Sequence, residues 1–222
     1  MIKIQTYDKD KQTISFTSDM SLSLANAIRR SILEIPVLAV DEVEIIKNDS
    51  ALYDEILAHR IGLIPIRSDK ALNKEIKFKL KTIGPKTVYS SDLEPSIGID
   101  YKLPIVILSD EQEIELIAYA KLGKGIEHVK YSPGLIYYRH NLEPDILDFV
   151  NIDAEGKISY DDDELKEKGL SDEHINRIKK IKNCDELLFT IESWGQIEVK
   201  NIFPKIIEVL DENLEELNKA VK

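Results

Sequence analysis

The stretch from Leu22 to Arg67 constrains the fold most strongly, because it alternates two apolar helical segments with two apolar strands. Apolar residues recur at helical spacing over Leu22–Leu33, so one face of this predicted helix is apolar. Pro36 disfavours the α conformation in the residue before it, which predicts that the helix ends there. Neither helical segment holds a recognisable nucleophile or a cluster of metal-binding side chains. This part of the chain therefore predicts a docking architecture without chemistry of its own.

Alternation of apolar and polar residues predicts strands on either side of this stretch. Residues 1–17 alternate around a polar turn at Asp8–Lys11, which is typical of a β-hairpin. Leu135–Arg139 and Leu187–Ser193 are predicted strands that belong with that hairpin. In Ile76–Leu80, lysines alternate with apolar residues, and the alternatives are a phosphate-binding strip or a solvated face that prevents edge-to-edge pairing.

Six segments resemble one protein family, in family order along most of the chain. They are LANAIRRSILEIPVLAVDEVEI, LYDEILAHRIGLIPI, VYSSDL, LPIVIL, AYAKLGKGIEHVKYSPG and FTIESWGQI. The chain resembles the large α-like subunit of cellular RNA polymerases, and most closely the D-type form of it that archaea have. The resemblance implies an α+β fold with a dimerisation domain, in which an antiparallel sheet packs with two helices, over residues 1–42 and 132–222. It implies a mixed α/β middle domain inserted at 43–131.

The resemblance also implies a non-catalytic role in transcription. Subunits of this family pair with a small α-like (L-type) subunit. The pair is the platform on which the small N- and P-type subunits and the two large catalytic subunits assemble. The nucleotidyl transfer of DNA-directed RNA polymerase then belongs to the large subunits, and no catalytic residue is expected here. A stand-alone α-like homodimer is the alternative, because an apolar helix face does not distinguish self-pairing from hetero-pairing.

The end of the sequence predicts a docking helix. Apolar residues recur there at alternating spacings of four and three, as in paired helices. We call this set the C-terminal stripe: Phe203, Ile207, Leu210, Leu214, Leu217 and Val221. A stripe that continues to the last residues, where chains usually fray, favours a partner over packing on the chain's own sheet. The resemblance assigns pairing to this helix and to the Leu22–Leu33 helix. The predicted interface residues are Leu24, Ala25, Ile28, Ile32, Phe203, Ile207, Leu210, Leu214 and Leu217.

A polar group on the first helix is predicted to contact a large subunit. Arg29 and Arg30 follow Asn26 by about one helical turn, and all three residues lie off the apolar face. The same arginines have an alternative within the chain, where Asp41 or Glu42 would pair with them.

The net charge argues against contact with nucleic acid. The chain has 30 Lys+Arg against 41 Asp+Glu, a net charge of −11. Residues 132–222 hold 12 basic against 21 acidic residues. A subunit that grips DNA should carry a basic stripe, so no direct nucleic-acid contact is expected. The sequence has no apolar run long enough for a membrane span and no signal-peptide core at its start, which predicts a cytoplasmic protein.

Bound metals and cofactors are expected to be absent. Many archaeal relatives in the resembled family hold an iron–sulfur cluster with cysteines between two dimerisation-domain strands. Cys184 is the single cysteine here, so four-thiolate ligation is impossible. The acidic segment at about 141–184 matches the family poorly. Its carboxylate run Asp161–Glu164 keeps a metal-dependent hydrolase as the rival class, although adjacent residues in a charged run seldom converge on one ion.

Overall fold

The computed structural model describes residues 2–68, 75–98, 101–153, 156–161, 165, 172–181, 184 and 186–221. In chain order, the strands are β1 Lys3–Asp8, β2 Thr13–Ser18, β3 Val37–Asn48, β4 Ile76–Ile83, β5 Lys86–Tyr89, β6 Pro104–Leu108, β7 Glu113–Gly123, β8 Gly134–His140, β9 Asn151–Ile152, β10 Ile158–Ser159 and β11 Leu187–Ser193. The α-helices are α1 Leu22–Ser31, α2 Asp54–Gly62, α3 Pro144–Leu147, α4 Asp172–Lys180 and α5 Val199–Ala220. These antiparallel strands and few helices confirm the α+β class.

The chain falls into two compact units, and each combines separate stretches of sequence. One unit is Met1–Arg29 with Ile136–Ile191, and the other is Arg30–Leu135 with Glu192–Lys222. The predicted domain boundaries at 42/43 and 131/132 stay a prediction. None of the helices in the described part of the chain is long and apolar enough to cross a membrane.

A four-stranded sheet forms the centre of the first unit. Its strand order is β1-β2-β11-β8, which confirms that the N-terminal hairpin and the two later strands belong together. The hairpin turn is held by Asp8, whose Oδ1 accepts hydrogen bonds from the backbone N–H groups of Asp10 and Lys11 at 3.0 and 2.9 Å. Phe16 of β2 stacks on Phe189 of β11 with ring centroids 5.1 Å apart. The sheet therefore has an aromatic core on one face.

The acidic segment carries a small apolar cluster of its own. Ile146, Leu165 and Ile178 are buried together, and Ile178 comes from α4. The short strands β9 and β10 pair antiparallel. Arg177 of α4 forms an ion pair with Glu143. Apolar and ionic contacts thus pack the described residues of the segment against one another.

Helix α1 begins at Leu22, as the sequence predicts, and ends at Ser31, before the predicted end at Leu33. The Ser21 side-chain oxygen accepts a hydrogen bond from the backbone N–H of Leu24 at 3.3 Å, which is an N-cap interaction. A short 3-10 turn follows α1 over Ile32–Glu34. Ile35 then adopts an extended conformation (φ −66°, ψ 121°) immediately before Pro36. The steric effect of proline on the preceding residue thus ends the helical stretch.

The second unit packs α2 onto an antiparallel sheet. The sheet has the order β3-β7-β4, and β5 pairs with β6 beside it. Leu57 and Ile61 of α2 are buried in one cluster with Phe78 of β4 and Leu116 of β7. Complete burial of each such side chain stabilises the unit by about 1.5–3 kcal/mol before entropy is subtracted. This cluster is the main apolar core of the second unit.

The lysines of β4 lie on an edge strand and face the solvent. β4 is the last strand of its sheet. Lys81 Nζ lies 2.6 Å from the Glu115 carboxylate of β7, and Lys77 Nζ lies 5.0 Å from the Tyr119 ring centroid. Two of the three lysines therefore have partners on the neighbouring strand, which favours edge protection over phosphate binding.

Candidate partner interface

Helix α5 carries two apolar faces. One face is buried, and its residues are Val199, Ile202, Ile206 and Val209. At about 100° per residue, the middle of the C-terminal stripe lies roughly 80° around the helix from the middle of the buried face. The helix thus keeps a second apolar face after its first has been packed.

Exposure increases along the C-terminal stripe. Phe203, Ile207 and Leu210 are half-buried, whereas Leu214 and Leu217 expose 62% and 60% of their surface. All side chains of residues 211–220 are exposed. Burial of a leucine side chain is worth about 1.5–3 kcal/mol, and most of this gain is unrealised here in the single chain. The second half of α5 therefore has the composition and exposure of a docking surface.

Polar contacts fix α5 to the second unit. Just before the helix, Gln196 accepts a hydrogen bond at its backbone oxygen from the N–H of Ser68 at 2.7 Å. Arg67 Nη2 lies 3.1 Å from Glu198 Oε1. No sequence pattern predicts a further contact, in which Asn213 Nδ2 donates to Glu34 Oε2 at 2.9 Å across 179 residues. These contacts hold the helix so that its exposed stripe has a defined orientation on the unit.

Helix α1 and the turn after it divide the other predicted interface residues into two groups. Leu24 is 48% exposed, so it stays a predicted contact. Ala25, Ile28 and Ile32 are buried within the chain itself. Their apolar surface is therefore already used by the chain's own core, and it is not available to a partner in this conformation.

The polar group of α1 is exposed and partly ordered. The side chains of Asn26, Arg29 and Arg30 all lie at the surface. Arg29 donates from Nε and Nη2 to Asn26 Oδ1 at 3.2 and 2.9 Å. Both donors of Arg29 meet the same amide oxygen, so its guanidinium lies against the Asn26 side chain.

Asp41 binds two lysines and a tyrosine in the second unit. Its carboxylate lies 2.6 Å from Lys121 Nζ and 2.8 Å from Lys130 Nζ, and it accepts a hydrogen bond from the Tyr131 hydroxyl at 3.1 Å. The hydrogen bonds from Lys121 and Lys130 hold the pKa of Asp41 well below its usual range. Burial, with the Asp41 charge beside it, raises the pKa of Tyr131 to about 12. A Cβ at Gly123 would come within 2.6 Å of the Tyr131 ring, so this close approach requires glycine.

The candidate metal ligands do not come together in the described part of the chain. That part has no group of three or more His, Cys, Asp or Glu side chains able to hold an ion. Asp161 lies within it, but residues 162–164 of the carboxylate run lie outside the described residues. Cys184 is buried, and its Sγ donates to the Glu186 carbonyl oxygen at 3.5 Å. One cysteine does not fit the ligand set of a four-thiolate iron–sulfur cluster.

Comparison with known proteins relates this arrangement to transcription. A family model described as the RNA polymerase Rpb3/RpoA insert domain matches residues 33–137. The chain is 33% identical to DNA-directed RNA polymerase subunit Rpo3 of Thermococcus kodakarensis, with 99% of both chains covered. It is 30% identical to the Rpo3 subunit of Halobacterium salinarum, with 99% of this chain and 97% of the relative covered. Identity to the Rpo3 subunit of Pyrococcus furiosus is 41% over 63% of this chain and 59% of the relative.

Proposed function

We propose that this chain, which belongs to the DNA-directed RNA polymerase subunit Rpo3 family, is a non-catalytic assembly subunit that pairs with the small α-like (L-type) subunit. The observation that carries the pairing is the exposed C-terminal stripe, with Leu214 and Leu217 more than half exposed on a helix whose other apolar face is buried. The pair would be the platform for the small N- and P-type subunits and the two large catalytic subunits. The nucleotidyl transfer belongs to those large subunits.

The energetics of α5 favour a permanent partner. A helix segment of about ten residues is marginal in water without tertiary contacts, because nucleation is costly and each added hydrogen bond gains little. Docking on the C-terminal stripe would bury the leucines and support the helix at the same time. Permanent interfaces of this kind bury about 2,000 Å² or more and are rich in apolar surface.

A second surface suits a large subunit. Arg29 is held beside Asn26 on the exposed side of α1, with Arg30 next to it. A planar guanidinium matches carboxylate groups by bidentate hydrogen bonding. We propose that this group contacts a large subunit after pairing has occurred.

The same proposal covers cofactors and location. We propose that the subunit holds no metal and no iron–sulfur cluster, and that it acts in the cytoplasm without direct contact to nucleic acid. A stand-alone homodimer would use the same C-terminal stripe, and a pull-down experiment separates the two. The hydrolase alternative has no support, since the relatives are polymerase subunits.

The test is a tagged pull-down from native cell extract, with mass spectrometry of the proteins that co-elute. Recovery of a small α-like protein together with the large polymerase subunits would support the proposal. Recovery of the chain alone, as a monomer or homodimer, would contradict it. The double variant Arg29→Glu/Arg30→Glu should retain the small partner and lose the large subunits. A variant with the same charge change in the exposed hairpin turn, Lys9→Glu/Lys11→Glu, should retain both.

A further inference from the structure

The C-terminal stripe lies in an acidic part of α5. Between Lys205 and Lys219 the helix has five acidic residues and no basic one. The five are Glu208, Asp211, Glu212, Glu215 and Glu216, and all but Glu208 lie in the fully exposed stretch 211–220. Glu215 makes a long ion pair of 3.8 Å with Lys219, one turn away at the helix end. At about 100° per residue, Asp211 lies beside the stripe, whereas the other four carboxylates lie on the far face of the helix, roughly 120–180° from the middle of the stripe.

Carboxylates border the stripe on both sides. At about 100° per residue, Asp211 lies roughly 40° around the helix from Ile207, which places it directly beside the stripe. On the other side, Asn213 lies roughly 40° from Leu217. The Asn213 amide holds the Glu34 carboxylate at 2.9 Å, so a second negative charge from outside the helix lies on that border. An approaching helix would meet negative charge on either flank of the leucines.

We infer that this acidic border selects the partner: the C-terminal stripe docks a protein helix whose own apolar stripe is bordered by lysine or arginine, and it disfavours a second copy of this chain. The inference rests on the proposed pairing through α5 and names the chemistry that decides which helix pairs. A two-fold interface places the same surface on both sides, so two copies would bring their carboxylates together. Opposite charges in those positions speed encounter and fix register, whereas like charges suppress pairing.

The distances involved allow this selection at physiological salt. Packed helices lie about 8–10 Å apart, and the Debye length is about 8 Å at physiological ionic strength. Charges at the border therefore act across the interface, and added salt weakens them. The net charge of −11 on the whole chain also opposes self-association, because two copies repel each other. Added salt should consequently weaken pairing with a basic partner helix and strengthen self-pairing of this chain.

Self-association of the full chain tests the repulsive half of the inference. The wild type is compared by sedimentation equilibrium with the variant Glu34→Gln/Asp211→Asn, which neutralises the two border carboxylates, at about 50 and about 500 mM NaCl. At the lower salt, the neutralised variant should self-associate at least about tenfold more tightly than the wild type. Adding Leu214→Glu to that variant should remove the gain. A neutralised variant no tighter than the wild type, or a gain that survives Leu214→Glu, would overturn the inference.

Two synthetic helical peptides test the attractive half. They share one leucine stripe, bordered by lysine in the first peptide and by glutamate in the second. The full chain should bind the lysine peptide at least about tenfold more tightly at low salt, and the ratio should shrink at high salt. Equal binding, or no binding of either peptide, would overturn the inference. The proposed function fails by a different result, namely loss of polymerase subunits from the wild-type pull-down.

Discussion

Replacing Leu214 by glutamate should separate partner pairing from folding. The Leu214 side chain is 62% exposed, in the part of α5 where residues 211–220 are all exposed. Glutamate and leucine have similar helix propensities, so the helix itself should persist. We expect the free energy of unfolding of the single chain to change by less than about 0.5 kcal/mol, as for other surface substitutions.

The cost of this substitution falls on the complex. Full burial of a leucine is worth about 1.5–3 kcal/mol, so the exposed 62% leaves roughly 1–2 kcal/mol to be gained on docking. Loss of that gain alone would raise Kd roughly 5- to 30-fold. The new carboxylate must also be desolvated in an apolar interface, at a cost of several kcal/mol if it stays unpaired. We therefore expect pairing to weaken at least about hundredfold.

The assay is co-purification of the tagged chain with its polymerase partners, together with circular dichroism of each purified variant. Lys219→Gln is the matched control, because it changes the net charge by the same unit. Its position lies roughly 140° around the helix from Leu214. The control should pair as the wild type does. Undiminished recovery of the partners with Leu214→Glu would refute the docking role of the stripe, and loss of pairing in both variants would show that charge alone is responsible.

Three further predictions concern stability and composition. Ile206→Ala, on the buried face of α5, should lower the free energy of unfolding by about 2–5 kcal/mol. Leu217→Ala, on the exposed stripe, should lower it by less than about 1 kcal/mol. Equal losses of the two variants in chemical denaturation would contradict the assignment of the two faces. The pKa of Tyr131 is raised to about 12 in the folded chain, whereas an unfolded tyrosine ionises at about pH 10. The stability that comes from the neutral Tyr131 hydroxyl is therefore complete below about pH 10. It is lost between about pH 10 and 12, by up to about 1.4 kcal/mol per pH unit. Tyr131→Phe should reduce this alkaline loss in thermal melts, and an unchanged pH profile would contradict the raised pKa of Tyr131. Elemental analysis of the purified chain should find neither iron nor zinc at one per chain, since Cys184 is the single cysteine; a stoichiometric metal would overturn that expectation.

Features that depend on near neighbours were predictable from the sequence. The extended residue before Pro36 follows from the chemistry of an adjacent residue, and the structure confirms it. The hairpin turn around Asp8 is local in the same sense. The grouping of the hairpin with Leu187–Ser193 is long-range, and family resemblance supplied the domain context for it.

Features of the candidate interface that depend on burial were only partly predictable. Helical spacing marked Ala25, Ile28 and Leu214 alike as apolar positions on helix faces. The structure buries the first two in the chain and leaves Leu214 exposed. Periodicity reports that a face is apolar, but it carries no information about which surface covers that face.

By itself, the sequence determined the chemistry of α5: an apolar stripe of alternating four- and three-residue spacing, acidic neighbours, and no basic residue between Lys205 and Lys219. Only the tertiary structure decided that Ala25 and Ile28 face the chain's own core while Leu214 remains open, and that Glu34 joins the border of the stripe. The physical reason is that apolar burial is non-directional and proportional to the area removed from water. Which area is removed depends on surfaces supplied by residues far away in the sequence, and these meet only when the chain has folded.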